Sequence, residues 1–204
     1  MTIRAFIALN PPPAVKQKLA DFQDQLKRRK LDAKWVKPDN FHITLKFLGQ
    51  TEEGWLDRIR EAMSVCAAQW HPFRVKLGEL GAFPERGKPR VLFVTADPGR
   101  TLKTLSYDLQ EHLKAIQTEA PPAQFKPHIT ICRLKSPLNT ALIPTGAPLK
   151  PETSFLASAI TLFKSVLGPN GAVYEKLCAF NLKGPPGDNG RGRNHLYSNS
   201  SNKP

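Results

Sequence analysis

Residues 41–49 read Phe-His-Ile-Thr-Leu-Lys-Phe-Leu-Gly, and residues 125–134 read Phe-Lys-Pro-His-Ile-Thr-Ile-Cys-Arg-Leu. Both stretches are apolar and contain β-branched residues, which predicts a strand in each. Because successive side chains of a strand point to opposite faces, His42 and Thr44 share one face, as do His128 and Thr130. Two strands that each bury one face and present an imidazole and a hydroxyl on the other are expected to form two halves of one site.

The duplication extends beyond the two histidines. Residues 4–11 resemble residues 91–98, with Phe6 matching Phe93 at an offset of 87 residues, and the His-Ile-Thr triplets match at an offset of 86. A single internal repeat of this length predicts two related lobes rather than a solenoid of many units. A cleft between such lobes is a natural place for the paired histidines to meet.

The order of the elements predicts an α+β fold, because strands and helices alternate without the regular βαβ pattern of a doubly wound sheet. A strand is expected near the N-terminus, and the prolines at 11–13 are expected to open a helix. Gly49 is expected to end the first His-Ile-Thr strand. The other expected elements are a helix from Thr51, strands at 73–80 and 91–96, a helix over 101–117, a proline-rich connection over 136–151 and a closing hairpin of strands near 155–166 and 173–182.

The composition changes after Lys183. Residues 184–204 consist largely of Gly, Pro, Asn, Ser and Arg, with little to bury, so a disordered basic tail is expected there. The preceding residues 1–183 are expected to form one bilobal domain, since a 204-residue chain with 40% hydrophobic residues can bury a proper core.

The chain is strongly basic, with a formal net charge of +13. This excess favours a nucleic-acid or phosphate ligand, although a generally basic, solvated surface would give the same count. The three cysteines lie far apart without metal-site spacing, which favours a reduced cytoplasmic protein. No apolar run is long enough to cross a bilayer and the N-terminus lacks a signal-peptide pattern, so no membrane association is expected. The protein is also expected to be a monomer.

The paired histidines suit acid–base chemistry. Histidine titrates near neutral pH, so one ring can serve as a neutral base while the other serves as a charged acid, as attack on phosphorus requires. Thr44 and Thr130 each add a hydroxyl that can donate to a phosphoryl oxygen. Neither a metal nor another cofactor is expected, because the sequence contains no His-x-His or His-Glu-x-x-His pattern and no acidic residue beside either histidine.

These segments resemble the 2H phosphoesterase superfamily, named for its two His-x-Thr-x motifs, and within it the RNA 2′,3′-cyclic phosphodiesterases, once called 2′-5′ RNA ligases. The resemblance covers residues 1–183 and includes Arg4-Ala5-Phe6-Ile7-Ala8-Leu9, both His-Ile-Thr segments and Thr161-Leu162-Phe163-Lys164-Ser165 near the closing hairpin. It implies a bilobal α+β fold in which two pseudo-twofold related lobes, with antiparallel sheets and outer helices, enclose a central cleft. It also implies hydrolysis of an RNA terminal 2′,3′-cyclic phosphate to a 2′-phosphate.

The resemblance further implies a role for each site residue. His42 would donate a proton to O3′, His128 would accept a proton from water, and Thr44, Thr130 and Arg133 would bind the phosphate. Strict alternation from His128 turns Arg133 to the opposite face, so its role requires a bulge or a strand end. Two alternatives remain open from the sequence: ATP-independent 2′-5′ ligation by the same site, and a non-catalytic RNA-binding module.

Overall fold

The computed structural model describes residues 1–85, 87–96, 100–116, 125–136, 143–168 and 171–184, apart from the side chains of Lys150 and Pro151. Within these ranges the chain forms nine strands, three α-helices and two short 3₁₀ turns, Pro38–Asn40 and Glu53–Trp55. The strands and helices are β1 (Thr2–Leu9), α1 (Pro13–Lys27), β2 (Ala33–Trp35), β3 (Ile43–Glu52), α2 (Leu56–Ala68), β4 (Phe73–Phe83), β5 (Val91–Ala96), α3 (Thr101–His112), β6 (His128–Leu134), β7 (Pro148–Ala157), β8 (Ala159–Gly168) and β9 (Gly171–Asn181).

The strands form one antiparallel sheet in the order β7-β4-β5-β6-β3-β1-β8-β9, and β2 pairs with the end of β6. The strand order divides the sheet into two matching halves. From the centre outward, β6 is followed by β5 on one side, and β3 is followed by β1 on the other. The halves meet through the Ile43–Ile129 pair between β3 and β6. This arrangement confirms the predicted α+β class and places the two His-Ile-Thr strands side by side at the centre.

The helices bury the apolar stripes that their sequence spacing predicts. Val15, Leu19, Phe22 and Leu26 of α1 are all buried, as are the leucines at 102, 105 and 109 of α3. Ile43 and Ile129, the residues between each histidine and threonine, are fully buried. One face of each central strand therefore belongs to the core, and the opposite face is left to the histidine and the threonine.

Three expected boundaries are wrong, and one of them is the end of α3, which lies at His112 rather than at residue 117. Gly49 does not end the first His-Ile-Thr strand, because β3 continues to Glu52 and remains paired with β1 as far as Thr2. The next helix begins at Leu56 rather than at Thr51, whose side chain is buried within β3. The helix start expected at Thr51 is overridden because the backbone of this segment pairs with β1 and the Glu53 N–H donates to the Met1 carbonyl.

The expected proline-rich connection over 136–151 contains the start of a strand that the sequence prediction missed. Strand β7 begins at Pro148, pairs with β4 and lies at one edge of the sheet. Edge strands tolerate proline because one side of their backbone has no partner strand to which an N–H must donate. The expected strand near 155–166 is divided at Ser158 between β7 and β8, and β8 forms the closing hairpin with β9.

Each His-Ile-Thr strand carries a β-bulge three residues after its histidine. The pairing of β1 with β3 skips Leu45, and the pairing of β5 with β6 skips Ile131. A helix side chain donates to the carbonyl oxygen of each skipped residue: the Ser106 hydroxyl of α3 to Leu45 at 2.8 Å, and the Gln23 amide of α1 to Ile131 at 3.0 Å. Helix α3 of the second repeat thus supports the bulge of the first repeat, and helix α1 of the first repeat supports the bulge of the second. Each bulge changes which of the later side chains face the cleft.

Gly184 is the last described residue, and its backbone N–H donates to the Trp70 carbonyl. The rest of the expected tail, residues 185–204, lies outside the described residues. Among the described helices, none is both long and apolar enough to cross a membrane.

Candidate active site

A cavity of about 380 Å³ lies between the two halves of the sheet. The structure brings all five residues singled out from the sequence to its wall, namely His42, Thr44, His128, Thr130 and Arg133. Other lining side chains come from both halves, among them Arg4, Phe6, Asn40, Phe47, Phe83 and Tyr174.

The strand register arranges the two motifs as a crossed pair. Ile43 lies opposite Ile129 in an antiparallel ladder. Extending that register by one residue in each direction places His42 beside Thr130 and His128 beside Thr44, on the face away from the core. Each histidine therefore neighbours the threonine of the other lobe as well as its own.

Both imidazoles are held in the same way. Nδ1 of His42 lies 2.7 Å from the carbonyl oxygen of Asn40, and Nδ1 of His128 lies 2.6 Å from that of Lys126. A carbonyl oxygen only accepts, so Nδ1 carries the proton and donates in both rings. Nε2 is consequently the nitrogen that can gain or lose a proton in each ring, and Nε2 of His42 lies 3.0 Å from the Thr44 hydroxyl.

Aromatic rings surround each imidazole. Phe6 and Tyr174 lie 4.8 and 5.1 Å from the His42 ring, measured between centroids. Phe93, the repeat equivalent of Phe6, lies 5.0 Å from the His128 ring. Phe83 completes that cage at 5.1 Å. These contacts orient the imidazoles and exclude water from much of their surface.

The residue two positions before each histidine also anchors a neighbouring hairpin. The Asn40 side-chain amide donates to the Ala172 carbonyl oxygen of β9 at 2.8 Å, two residues before Tyr174. In the other lobe the Lys126 ammonium forms an ion pair with Glu85, two residues after Phe83. The backbone carbonyl of each anchor orients a histidine, while its side chain holds the segment that supplies an aromatic neighbour of that histidine.

Burial lowers the pKa of His42 from 6.5 to about 4. Desolvation is the main cause, since it penalises the charged ring. The nearby His128 and Lys16 act in the same direction, whereas the hydrogen bond to Asn40 opposes the shift. The unliganded site therefore holds His42 as a neutral ring at neutral pH.

Burial also lowers the pKa of His128, and the Arg133 guanidinium lowers it further against the effect of the Lys126 hydrogen bond. The Arg133 charge also acts on Tyr174. Burial raises the pKa of Tyr174, and the charges of Arg133 and Arg4 oppose that rise. Arg133 thus acts electrostatically on a side chain from each lobe. A positive potential in a poorly hydrated cleft favours an anionic ligand.

Arg133 reaches the cleft because of the bulge at Ile131. After the skipped residue the alternation shifts by one, so Cys132 is buried and Arg133 is exposed on the histidine face. The structure therefore contains the irregularity that a binding role for Arg133 requires. No group of three or more His, Cys, Asp or Glu residues suited to a metal occurs in the described part of the chain.

The aromatic cages and Arg4 were not singled out as site residues from the sequence. The repeat held a usable signal for one pair, since Phe6 and Phe93 occupy matched positions. Phe83 and Tyr174 have no such signal, because their hairpins reach the cleft only through the pairing of β5 with β6 and of β8 with β1.

Known proteins resemble this chain along most of its length. The model of the LigT-like phosphoesterase family matches residues 9–93. A Thermus thermophilus protein named RNA 2′,3′-cyclic phosphodiesterase is 32% identical over 190 residues, covering 91% of this chain and 93% of the relative. An Archaeoglobus fulgidus protein of the same name is 31% identical over 181 residues, covering 87% and 99%.

Solved structures agree with this relationship. A crystal structure of a Thermus thermophilus protein superposes with a TM-score of 0.78 at 30% identity, covering 89% of this chain and 98% of that one. The crystal structure of E. coli LigT complexed with 3′-AMP has a TM-score of 0.71, covers 89% and 99%, and at 22% identity shows the shared fold alone. The resemblance found in the sequence is confirmed, and the chain belongs to the LigT-like phosphoesterases of the 2H superfamily.

Proposed function

We propose that this protein hydrolyses the terminal 2′,3′-cyclic phosphate of RNA to a 2′-phosphate, without a metal ion. The observation that carries the proposal is the pair of imidazoles in one cleft, each with Nδ1 bonded to a backbone carbonyl and Nε2 left for proton transfer. The curated relatives named RNA 2′,3′-cyclic phosphodiesterase support this substrate class.

The reaction divides between the two histidines. Neutral His128 takes a proton at Nε2 from water, and the water oxygen forms a bond to phosphorus. The P–O3′ bond breaks, His42 gives its Nε2 proton to O3′, and the phosphate remains on O2′. The family resemblance suggests this assignment. The Arg133 charge supports the assignment of His128 as the base, because this charge lowers the pKa of His128 and so favours the neutral ring before substrate binds.

The other cleft residues would stabilise the charge on phosphorus. Hydroxyls of Thr44 and Thr130 can donate to the non-bridging oxygens, whose negative charge grows during attack. Arg133 and Arg4 provide positive charge on the same cavity wall. These donors supply the stabilisation that a metal ion would otherwise provide, which is why we propose metal-independent catalysis.

The low pKa of His42 requires substrate to bring the acid into its charged form. An anionic phosphate beside the ring adds negative charge that favours the imidazolium and offsets the desolvation. Binding of the phosphate should therefore be coupled to uptake of a proton by the histidine pair, whose titrations are linked.

The pH dependence of turnover tests this coupling. The pH profile of kcat/KM for a cyclic mononucleotide reports the ionisation of the free enzyme. We expect this profile to be bell-shaped and centred below pH 6.5, the ordinary pKa of histidine. The bell for kcat is expected at higher pH, because bound phosphate raises the pKa of the pair. Both profiles are measured between pH 4 and 9 in buffers of constant ionic strength. Coincident profiles centred above neutral pH would contradict a substrate-induced protonation.

The decisive experiment uses a short RNA that ends in a 2′,3′-cyclic phosphate, incubated in excess EDTA. A 2′-phosphate product, identified by chromatography against both phosphate isomers, is the expected result. A 3′-phosphate product would mean that O2′ is the leaving group. Loss of activity with EDTA and recovery with a divalent metal would reject metal independence. Ligation of RNA ends without hydrolysis would favour the ligase, and binding without turnover would favour an RNA-binding module.

We further propose that the protein works in the cytoplasm as a monomer. A single chain supplies both histidines and both threonines of the cleft, which supports a monomeric enzyme. Cys66 and Cys132 are free and buried, and burial raises the pKa of each thiol to about 12, so both remain protonated. Free thiols of this kind suit a reducing compartment.

A further inference from the structure

Two positive side chains lie directly opposite each other beside the cavity. In the pairing of β2 with β6, Lys34 is the partner of Arg133. Residues directly opposite each other in an antiparallel pair point to the same face of the sheet. Arg133 lines the cavity, so Lys34 lies on the cavity side of the sheet as well. Val36, two residues after Lys34, also lines the cavity, in agreement with strand alternation.

The Lys34 ammonium lies near the end of the closing hairpin of β8 and β9. A Cβ on Gly171, the first residue of β9, would lie 3.2 Å from Cε of Lys34 and 3.5 Å from its Nζ. Leu167 and Ala172, the next pair of the hairpin, both line the cavity, whereas Lys34 does not. The ammonium group is therefore just outside the cavity, between β2 and the end of the hairpin.

No carboxylate neutralises these two positive charges in the part of the chain that the structure describes. Neither Lys34 nor Arg133 forms an ion pair there, whereas the nearby Lys135 is paired with Asp32 at 3.1 Å. Like charges directly opposite each other on a sheet destabilise it. A ligand with negative charge beside both side chains would remove this repulsion, so the pair is suited to binding two anionic groups.

The proposed substrate carries two anionic groups that are separated by one ribose. In an RNA that ends in a 2′,3′-cyclic phosphate, the terminal ribose bears the cyclic phosphate on one side and an internucleotide phosphate at O5′ on the other. Residues directly opposite in an antiparallel pair are about 5 Å apart, and the long side chains of Lys34 and Arg133 can spread further. A cyclic phosphate beside Arg133 thus leaves the next phosphate of the chain within reach of Lys34.

We propose that Lys34 binds the phosphodiester that joins the terminal nucleotide to the rest of the RNA, a role that rests on the proposed function and extends it. Lys34 then distinguishes the end of an RNA chain from a free cyclic mononucleotide by the charge at O5′. An ammonium group is a compact point charge that tolerates many phosphate orientations. A contact to the backbone contains no sequence information, so this recognition is independent of the base.

The test compares two dinucleotides that end in a 2′,3′-cyclic phosphate and differ only in the internucleotide linkage. One has the natural phosphodiester, and the other has a methylphosphonate, which is similar in shape but uncharged. For the wild-type protein, KM is expected to be about fivefold lower for the phosphodiester at low ionic strength. The two kcat values should be similar, because the linkage is remote from the P–O3′ bond that breaks.

Substitutions of Lys34 assign this difference to its charge. Lys34→Met retains the length of the side chain without the ammonium and should bring the two KM values together. Lys34→Arg retains the charge and should preserve the difference. Raising the ionic strength should narrow the difference for the wild-type protein, since an exposed ion pair is screened by salt.

Lys135→Met is the matched control. It removes a positive charge close to Arg133 on the same strand end, but the Lys135 ammonium is already paired with Asp32. The difference between the two KM values should therefore persist in this variant. Thermal unfolding of every variant verifies that the fold is retained.

The outcomes separate this inference from the proposed function. Equal KM values for the two dinucleotides with the wild-type protein would overturn it without reference to any variant. The inference would also fail if Lys34→Met raised both KM values by the same factor, or if Lys135→Met removed the difference as completely as Lys34→Met. Failure of the wild-type protein to open either dinucleotide or adenosine 2′,3′-cyclic phosphate would overturn the proposed function itself.

Discussion

Replacing either His42 or His128 with alanine is expected to lower kcat by about 10²–10⁴-fold on a short cyclic-phosphate substrate, the usual scale for a positioned acid or base. Each change removes the Nε2 that we propose for proton transfer, and Nδ1 of the same ring is engaged by the Asn40 or Lys126 carbonyl. KM should change less than kcat, because the threonines and arginines that we propose to bind the phosphate remain. Steady-state kinetics on purified variants gives both values.

The double variant provides a sharper test of cooperation. The effects of substituting two residues that act in the same step are not additive. The His42→Ala, His128→Ala double variant should therefore lose much less kcat than the product of the two single losses. His112→Ala is the matched control, because His112 lies on α3 outside the cavity and bonds to the Asp108 carbonyl. Near-normal kcat in one single variant would remove that histidine from the mechanism, and a multiplicative double loss would indicate independent roles.

The sequence predicted the centre of this molecule well because the central constraints are local. Strand periodicity places His42 and Thr44 on one face and Ile43 in the core, and the same rule holds in the second motif. The spacing of the repeat indicated two lobes, and the matched phenylalanines Phe6 and Phe93 indeed pack on equivalent histidines. A repeated local pattern is informative because the same physical requirement is met twice in one chain.

The features that the sequence did not reveal depend on pairing between distant segments. Strand β3 runs past Gly49 because β1 is there to pair with it, and β7 forms despite its prolines because β4 supplies one neighbour and the other side is an edge. Tyr174 reaches His42 because β8, the hairpin partner of β9, pairs with the distant strand β1. Local propensity contains none of this information, and long-range pairing overrides it.

Arg133 shows how the two kinds of information combine. Alternation alone turned its side chain away from the histidines, and only a bulge could return it. A buried glutamine of another element supports the bulge: the Gln23 amide of α1 donates to the Ile131 carbonyl oxygen, which also accepts from the Val36 backbone N–H. The equivalent bond from Ser106 to Leu45 makes this a property of both lobes. It also explains why Phe47 and Arg133, each five residues after a motif histidine, face the same cleft.

Loss of the threonine hydroxyls should produce the second large effect. Thr44→Val and Thr130→Val preserve side-chain shape but remove the hydroxyl that we propose as a donor to the phosphoryl oxygens, and loss of such a donor typically lowers kcat by about 10²–10³-fold. Thr44→Ser and Thr130→Ser retain the hydroxyl and should retain most of the activity. The measurement is kcat on a cyclic mononucleotide, for which contacts along a longer RNA cannot compensate.

The valine variants also separate transition-state stabilisation from simple binding. If the hydroxyls act mainly on the charge that develops during attack, kcat falls while the affinity for the 2′-phosphate product changes little. Thr104→Val is the control, because its hydroxyl bonds to the Arg100 carbonyl on α3, outside the cavity. Valine variants with wild-type kcat would assign the phosphoryl oxygens to Arg4 and Arg133 alone. Because Nε2 of His42 lies 3.0 Å from the Thr44 hydroxyl, Thr44→Val should in addition shift the His42 limb of the pH profile, and Thr44→Ser should restore it.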